Sequence, residues 1–383
     1  MKLLDVCDFQ GGSQPPKEEW IGTPREGYVR MLQIRDYSQG EDKFIQYVKD
    51  TTKLHKCNKN DIMLSRYGYI GQAFTGLEGA YNVALVKVIK KRQIDTQYLF
   101  YYFQSEYFRH SLLSNVGARA TIPGFNKTEL VATEIPVPKT EIQIEIREKL
   151  SMIDKLLKEH HKQIKMLDML VKSRFVEMFG DPVLNEMCWE QVPLSICIEN
   201  IDNGKSFVCD SEARQGDWPA VLKLSAATYG FYRPEENKAI LDKNQFVEDA
   251  AVRDGDLLFT RKNTPELVGM CAYVYDTPGK LMMPDLIFRL NTTERCNKVF
   301  LWKLINHDLF RDCIQAIATG SAKSMSNISK ERLLGLKIIL PPIERQKEFA
   351  AFVAQTDKSK LAIQQSLEKL ETLKKSLMQE YFS

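Results

Sequence analysis

The chain has 383 residues, of which 44% are hydrophobic. A single hydrophobic core seldom grows beyond about 250 residues, so we expect at least two domains. With 53 basic and 50 acidic residues the formal net charge is +3, which excludes a uniformly basic nucleic-acid coat. Any DNA or RNA binding must therefore come from local patches.

The sequence has no sign of export or of membrane insertion. Its first ten residues are typical of neither a signal peptide nor a transit peptide. No stretch approaches the roughly 20 consecutive apolar residues that span a bilayer. The eight cysteines include no Cys-x-x-Cys pair, so we expect free thiols in a reducing cytoplasm.

The first predicted element, residues 1–139, is a mixed α/β globule. Short apolar runs rich in Val, Ile, Tyr and Phe alternate with many Gly and Pro turn signals. Residues 31–34 have a short strand pattern, and residues 60–66 indicate a turn that leads into a strand.

The second element, residues 140–180, is predicted to be a long helix. Neither Gly nor Pro occurs from 140 to 179, and Pro138 stands just before the start, where proline is tolerated. The apolar residues step by threes, fours and sevens, as in a coiled coil. They are Ile146, Leu150, Ile153, Leu157, Ile164, Leu167, Val171 and Met178.

The third and fourth elements repeat this plan. Residues 181–342 form a second globule, in which 221–224 resembles 31–34 and 255–261 resembles 60–66. Residues 343–383 form a second Gly-free and Pro-free helix with the same spacing. Its apolar row is Phe349, Phe352, Val353, Thr356, Ile363, Leu367, Leu370, Leu373, Leu377 and Tyr381.

The two halves are a tandem repeat. From Gly117 and Gly320 onward, one register holds without a gap to the end of the chain, with identical residues at many positions. An isolated amphipathic helix of this length would leave its apolar row exposed to water, so we expect the two helices to pair. An antiparallel pair would relate the halves by a pseudo-two-fold axis and set the globules at opposite ends of a rod about 60 Å long. The predicted fold class is α+β.

The motifs of common enzymes are missing from the sequence. Gly204-Lys205-Ser206 resembles the end of a phosphate-binding loop, but Glu199 stands where that loop needs glycine, and no Gly-x-Gly-x-x-Gly occurs. His160 and His161 are adjacent and so point about 100° apart on a helix, which favours a seam or solvated position over a metal site. We therefore assign no catalytic residue and no metal ligand.

Three segments resemble a known family, the specificity subunit of type I restriction-modification systems. They are Ile135-Pro136-Val137-Pro138-x-x-Glu141-x-Gln143, its echo Leu340-Pro341-Pro342-Ile343-Glu344-x-Gln346, and Ser173-Arg174-Phe175-x-x-Met178-Phe179-Gly180-Asp181-Pro182. In that family two target recognition domains alternate with two long helical regions. The resemblance covers essentially the whole chain and agrees with the repeat.

The resemblance implies a non-catalytic subunit that reads an asymmetric, bipartite site in double-stranded DNA. It implies docking of two modification (adenine methyltransferase) subunits and, through them, restriction subunits. S-adenosylmethionine and ATP are then expected on those partners, with no cofactor on this chain. The helices would fix the unread spacer between two unlike half-sites.

Arginine is the side chain best suited to a guanine edge, because its fork donates to O6 and N7 together. Our first candidates are Arg66 and Arg261, at the ends of equivalent strands, with Tyr67, Lys262 and Asn263 beside them. Further candidates are loop cations that could neutralise phosphates. These are Arg119, Lys323, Lys17, Arg35, Lys205 and Lys223. Each of these residues could instead be a surface side chain paired with a nearby acid.

Two other classes of function stay open at this point. One is a coiled-coil adaptor whose globules bind protein or glycan, which the near-neutral charge fits. The other is a self-contained enzyme, such as a methyltransferase with permuted motifs. A salt-dependent affinity for duplex DNA would separate the first from a DNA reader, because phosphate contacts release counterions.

Overall fold

In a computed structural model, two helices of 40 residues each accompany many short strands and helices. The structure describes residues 1–40, 45–116, 124–320 and 325–383. They divide into two units. Unit 1 is Met1–His161 with Gln364–Ser383, and unit 2 is Lys162–Ile363. The division of the chain into the four domains given above stays a prediction.

Unit 1 is built on two four-stranded sheets. Its elements are α1 (Leu3–Val6), β1 (Cys7–Gly11), β2 (Tyr28–Leu32), α2 (Ile34–Ser38), β3 (Tyr47–Lys49), β4 (Lys56–Cys57), β5 (Met63–Ser65), β6 (Ala73–Phe74), β7 (Gly79–Tyr81), β8 (Leu85–Lys90), α3 (Thr96–Gln104), α4 (Glu106–Val116) and the first part of α5 (Thr140–Phe179). Short 3-10 helices occur at Lys17–Glu19 and Lys127–Leu130. One sheet has the antiparallel order β1-β8-β5-β6, and the other has the order β3-β2-β7-β4 with β2 and β7 parallel.

Unit 2 repeats this architecture. Its elements are β9 (Gln191–Pro193), β10 (Ile198–Asn203), β11 (Ala220–Leu222), α6 (Ser225–Thr228), β12 (Asn237–Ala239), β13 (Leu257–Thr260), β14 (Lys262–Asn263), β15 (Cys271–Tyr273), β16 (Leu281–Met282), β17 (Ile287–Thr292), α7 (Lys298–Ile305), α8 (Arg311–Ala316), β18 (Ser326–Asn327), α9 (Lys330–Leu334), β19 (Lys337–Ile339) and the first part of α10 (Ile343–Phe382). Short 3-10 helices occur at Leu194–Ile196, Lys243–Gln245, Glu248–Ala250 and Asp308–Phe310. The sheet β10-β17-β13-β15 has the order of its counterpart in unit 1, and β11 pairs in parallel with β16 as β2 does with β7.

The predicted α+β tandem repeat is therefore confirmed, and it extends to single contacts. Asp61 accepts a hydrogen bond from the Asn58 backbone at 2.9 Å, and its equivalent Asp256 accepts one from the Arg253 backbone at 2.9 Å. Each of these carboxylates also pairs with a cation on the adjacent strand, Lys87 at 2.9 Å or Arg289 at 3.2 Å. Burial raises the pKa of Asp256 in spite of that partner.

Our predicted strands at residues 31–34 and 221–224 extend too far toward the C-terminus. The strands end at Leu32 and Leu222, and the next residues lead into α2 and α6. In unit 1 the cause is local, because Gln33 and Asp36 form a reciprocal capping box that begins α2. The apolar Ile34 and Leu224 therefore belong to helix starts.

The two long helices run antiparallel, as predicted. In unit 1 Asp154 pairs with Lys374 at 2.6 Å, and His160 lies 3.0 Å from the Ser366 hydroxyl. In unit 2 the same order continues with Lys360 bound to Asp168 and with Arg174 3.3 Å from Glu348. Rising numbers on α5 thus meet falling numbers on α10 throughout both units.

The predicted apolar rows of the helices are buried or half-buried, with one exception. Leu373 was placed in the row but is 47% exposed. Lys374 takes the inward position, because the steps Leu370, Lys374, Leu377 keep the alternation of fours and threes. In α5 the predicted row has two gaps of seven residues. The polar residues His160 and Arg174 lie at the inward positions within these gaps, and both are half-buried.

A glutamine fastens each long helix to the unit in which it begins. The Gln346 side-chain oxygen accepts the backbone N–H of Asn297 at 2.8 Å, and its amide nitrogen donates to the Pro341 carbonyl at 2.7 Å. Gln143 does the same with the Asp95 backbone at 3.0 Å and the Pro138 carbonyl at 2.8 Å. Both glutamines are buried.

These contacts explain the Pro-x-x-Glu-x-Gln motif. Asp95 and Asn297 are the N-caps of α3 and α7, and their side chains satisfy N–H groups of the first turn. In a capping box, a Glu or Gln three residues later accepts the backbone N–H of the N-cap, but this chain has Tyr98 and Phe300 at those positions. The glutamine of the long helix supplies the missing acceptor, so the backbone N–H of each N-cap is satisfied only when the long helix is docked.

We predict that Gln346→Leu lowers the stability of unit 2. The change removes the acceptor of a buried N–H and leaves it without a partner, which costs about 1 to 3 kcal/mol. Urea unfolding followed by circular dichroism measures it, with Gln365→Ala as the control because Gln365 is exposed on the same helix. An unchanged unfolding midpoint for Gln346→Leu would contradict the assigned role.

Candidate nucleic-acid interface

Each unit has a group of loops where several strands of its antiparallel sheet end or begin, and we name this group its loop edge. In unit 1 it consists of residues 12–13 after β1, 66–71 after β5 and 82–84 before β8. In unit 2 it consists of residues 204–206 after β10, 261–269 after β13 and 284–286 before β17. In each unit the loop edge also pairs with a segment that precedes the long helix. The pairing is the backbone bridge between Tyr67 and Gly124 in unit 1 and the strand pair β14 and β18 in unit 2.

A glycine allows close backbone approach in each loop edge. A Cβ on Gly12 would lie 2.0 Å from the Asn82 carbonyl oxygen, and one on Gly204 would lie 2.1 Å from that of Pro284. The next residues, Ser13 and Lys205, donate their backbone N–H to equivalent strand ends. The loop edges therefore share one backbone frame while their side chains differ.

Arg66 and Arg261 stand at equivalent strand ends, as the sequence indicated, and both guanidinium groups have partners inside the protein. Arg66 Nε donates to the Phe125 carbonyl at 3.1 Å, and a terminal nitrogen donates to the Asn126 side chain. A terminal nitrogen of Arg261 donates to Asn327 Oδ1 at 3.3 Å, and its Cζ lies 4.8 Å from the centre of the Phe288 ring. Both side chains are half-buried.

Three candidates beside these arginines differ in their surroundings. The Tyr67 ring packs against Gly124, where a Cβ would lie 2.4 Å from it. Lys262 is half-buried with its ammonium 3.9 Å from Asp285. Asn263 is buried and donates to Thr228 Oγ1 at 3.0 Å. Its side chain thus connects the loop edge of unit 2 to α6 and does not face solvent.

The loop cations are spread over several surroundings. Lys17 and Lys205 are exposed, whereas Lys223 is 3.9 Å from Glu236 and Arg35 donates to Gln46 at 2.8 Å. In the backbone frame Lys205 is the equivalent of Ser13, four residues before Lys17. Arg119 and Lys323 lie outside the described residues.

One lysine that is identical in the two repeats, Lys127 or Lys330, contacts the first strand of the antiparallel sheet in each unit. Lys127 lies 2.5 Å from Asp8, and its hydrogen bond lowers the pKa of that carboxyl group. Its equivalent Lys330 donates to the Ile201 carbonyl at 2.5 Å. Both residues follow the segment that joins the loop edge, so their identity across the repeat reflects a structural role.

The sequence reasoning missed one pair of side chains at the loop edge of unit 1. Tyr69 is 76% exposed, and the guanidinium carbon of Arg109 lies 5.9 Å from the centre of its ring. The available signal was the spacing Gly68-x-x-Gly71 around Tyr69. It indicates a tight turn that would present the ring to solvent.

Within residues 1–40, 45–116, 124–320 and 325–383, no group of three or more His, Cys, Asp and Glu side chains is placed to hold a metal ion. Over the same ranges, no helix has both the length and the apolar character needed to cross a bilayer.

The fold and its loop edges define a tandem-repeat α+β protein with two equivalent but unlike surface sites. Residues 1–166 and 199–374 match the family described as the Type I restriction modification DNA specificity domain. These segments make up more than half of the chain, so the protein belongs to the family of type I restriction-modification specificity subunits. The resemblance in the motifs is thereby confirmed, and the adaptor alternative finds no support.

Several curated relatives bear the same description. The Type I restriction enzyme MjaVIII specificity subunit of Methanocaldococcus jannaschii is 26% identical over 99% of this chain and 90% of its own length. The EcoKI specificity subunit of Escherichia coli K12 is 20% identical over 96% of this chain and 84% of its own length. The EcoEI specificity subunit of Escherichia coli is 32% identical over 40% of this chain, and that match spans 26% of the relative.

Solved structures share the fold over the full length. The S subunit from M. genitalium aligns with a TM-score of 0.57 and 14% identity over 99% of this chain and 95% of its own. A chain from a structure of type I R-M complex assembly and conformational transition aligns with a TM-score of 0.56 and 15% identity, covering 100% of this chain and 96% of its own.

We predict that Arg66→Ala weakens the reading of one half-site by about 1 to 3 kcal/mol if its contact to a guanine is bidentate. The measurement is competition binding with duplexes altered at single base pairs. Asn126→Ala is the control, because it removes an internal partner of Arg66 and keeps the guanidinium. Unchanged affinity and unchanged site preference in Arg66→Ala would remove this residue from the interface.

Proposed function

We propose that this chain reads an asymmetric, bipartite sequence in duplex DNA, with one half-site for each unit. The observation that carries the proposal is the pair of loop edges, in which one backbone frame presents different side chains. In the repeat, Ser13 corresponds to Lys205, Tyr67 corresponds to Lys262, and Tyr69 corresponds to Leu267. Equivalent frames with unlike side chains are what reading two unlike half-sites requires.

The chemistry of the loop edges suits base reading in a major groove. Direct reading needs side chains with fixed donor geometry near the base edges, and phosphate contacts need only local positive charge. The loop edges combine arginines on rigid strand ends with exposed lysines such as Lys205. This local arrangement is compatible with a net charge of only +3.

We propose further that the chain is non-catalytic and acts in the cytoplasm. S-adenosylmethionine would be bound by modification subunits, and ATP by restriction subunits. The relatives support this division of labour because their names describe them as specificity subunits of restriction enzymes. The chain's own residues would select the site at which the partners act.

The long helices offer a docking face for two modification subunits. Leu170 on α5 and Leu373 on α10 occupy equivalent positions of the repeat, and each is 47% exposed. Met166 and Met169, near Leu170, are 57% and 66% exposed. A leucine kept half-exposed at both equivalent positions suits two copies of one partner, because apolar surface in water is unfavourable unless it is covered.

The first test concerns methylation. We predict that co-expression of this chain with its modification subunit methylates one bipartite motif with unlike halves, mapped genome-wide by single-molecule sequencing. The same modification subunit without this chain is the control. Methylation that persists unchanged in that control would contradict the proposal. Affinity of the purified complex for duplex DNA should also fall steeply with salt.

The second test concerns the docking face. We predict that Leu170→Glu and Leu373→Glu each reduce the bound modification subunits by one copy, and that together they remove both, as counted by native mass spectrometry. The matched control is Lys155→Glu with Lys358→Glu, at exposed equivalent positions of the same helices. Full occupancy in the double leucine variant, or equal loss in the lysine control, would contradict this docking face.

A further inference from the structure

The tyrosine at the tip of the β5–β6 hairpin is exposed on a rigid support. Gly68 and Gly71 have φ angles of +71° and +78°, which favour glycine. The Ser65 hydroxyl donates to the Tyr69 carbonyl, and the Ser65 carbonyl accepts the Gly71 N–H at 2.8 Å. A Cβ on Gly71 would lie 2.7 Å from Leu112, so the hairpin packs directly on α4. The ring is therefore presented by a fixed turn.

Arg109 on α4 lies close to this ring. Its guanidinium carbon lies 5.9 Å from the centre of the Tyr69 ring, at cation-π distance. The side chain is exposed, and in the described part of the chain no acceptor or acid engages its guanidinium. Arg66 in the same hairpin, by contrast, donates from Nε to Phe125 and from one terminal nitrogen to Asn126.

The equivalent arginine of unit 2 is used differently. Ile314 of α8 packs against Gly269 in the same way as Leu112 of α4 packs against Gly71. Arg311, three residues before Ile314, is therefore the equivalent of Arg109, three residues before Leu112. The guanidinium of Arg311 donates to the Gly269 carbonyl at 3.0 Å and to the Val268 carbonyl at 2.6 Å. Leu267 stands at the position of Tyr69, because its carbonyl accepts from the Thr260 hydroxyl as the Tyr69 carbonyl accepts from Ser65. The arginine that lies beside an exposed aromatic ring, with no acceptor among the described residues, is thus that of unit 1.

We propose that Tyr69 and Arg109 form a base-reading pair for the half-site of unit 1, an inference that rests on the proposed function. Arg109 donates two hydrogen bonds to O6 and N7 of one guanine in the major groove. Tyr69 packs on the face of the guanidinium and fixes its plane, which leaves the N–H groups at the edge for the base.

The composition around the pair favours DNA as the ligand. Residues 66–71 contain one arginine, two tyrosines and no acid, and His110 follows Arg109. The nearby Glu106 has a partner of its own, with its carboxylate 3.5 Å from the Lys375 ammonium. A planar guanidinium with free donors matches the paired acceptors of a guanine edge better than it matches an apolar protein surface.

The test uses the complex of full-length chain and modification subunits. Arg109→Ala should lower affinity for the native duplex about 10- to 100-fold and relax one base pair of one half-site. Arg109→Lys should also relax that position, because an ammonium cannot form the bidentate contact. Tyr69→Ala should give a smaller loss at the same base pair, and Tyr69→Phe should keep the selectivity because the ring remains.

Arg92→Ala is the matched control. Arg92 is exposed and follows β8 at the end of that strand that lies away from the loop edge. Its Nε donates to the Asp5 carbonyl at 3.2 Å. The half-site of unit 2 is the internal control, since every Tyr69 and Arg109 variant should leave its methylated sequence unchanged.

Distinct outcomes separate failure of this pair from failure of the proposed function. If the unaltered complex neither binds nor methylates a bipartite site, the proposed function is wrong. If the unaltered complex does so and Arg109→Ala keeps the same motif and affinity, the pair is not a reader. Uniform weakening across all duplexes with a reduced salt slope would indicate a phosphate contact and overturn base reading. Loss of a bound subunit would overturn it in favour of a protein contact.

Discussion

The buried glutamine near the start of each long helix is the contact on which both units depend. Gln143 and Gln346 each accept the backbone N–H of an N-cap and donate to a carbonyl just before their own helix. One amide thus connects the start of the long helix to the N-cap of α3 or α7. Because the loop edges belong to sheets packed in the same cores, this contact also fixes the frame on which recognition side chains stand.

The helix pair combines an apolar row with polar contacts at intervals. The ion pair between Asp154 and Lys374 lies in unit 1, and the one between Asp168 and Lys360 lies in unit 2. His160 lies within hydrogen-bond distance of Ser366. Apolar residues alone would tolerate a slip by one turn, whereas a misplaced charge would lose its partner. The polar contacts therefore contribute more to register than to stability, since partly exposed ion pairs contribute little energy.

Much of the fold was predictable from the sequence, and less of the site. The repeat, the two helices and the strand ends that carry Arg66 and Arg261 follow from local periodicity and from one register held over many residues. The burial of Asn263 and the exchange of Leu373 for Lys374 in the helix row depend on tertiary neighbours. So does the contrast between Arg109 and Arg311, because the residues are equivalent and only the three-dimensional contacts decide which guanidinium donates to a neighbouring carbonyl and which lies beside an aromatic ring.

The aromatic residues that end the long helices have a consequence for biosynthesis. Phe179 of α5 lies in the core of unit 2, and Phe382 of α10 packs 5.2 Å from the Tyr98 ring in the core of unit 1. Unit 2 is one continuous segment and can form its core while the chain is still being made. Unit 1 receives the last part of its core, Met378 and Phe382, only when the end of α10 has been made. This order is the reverse of the usual one, in which the N-terminal domain folds first.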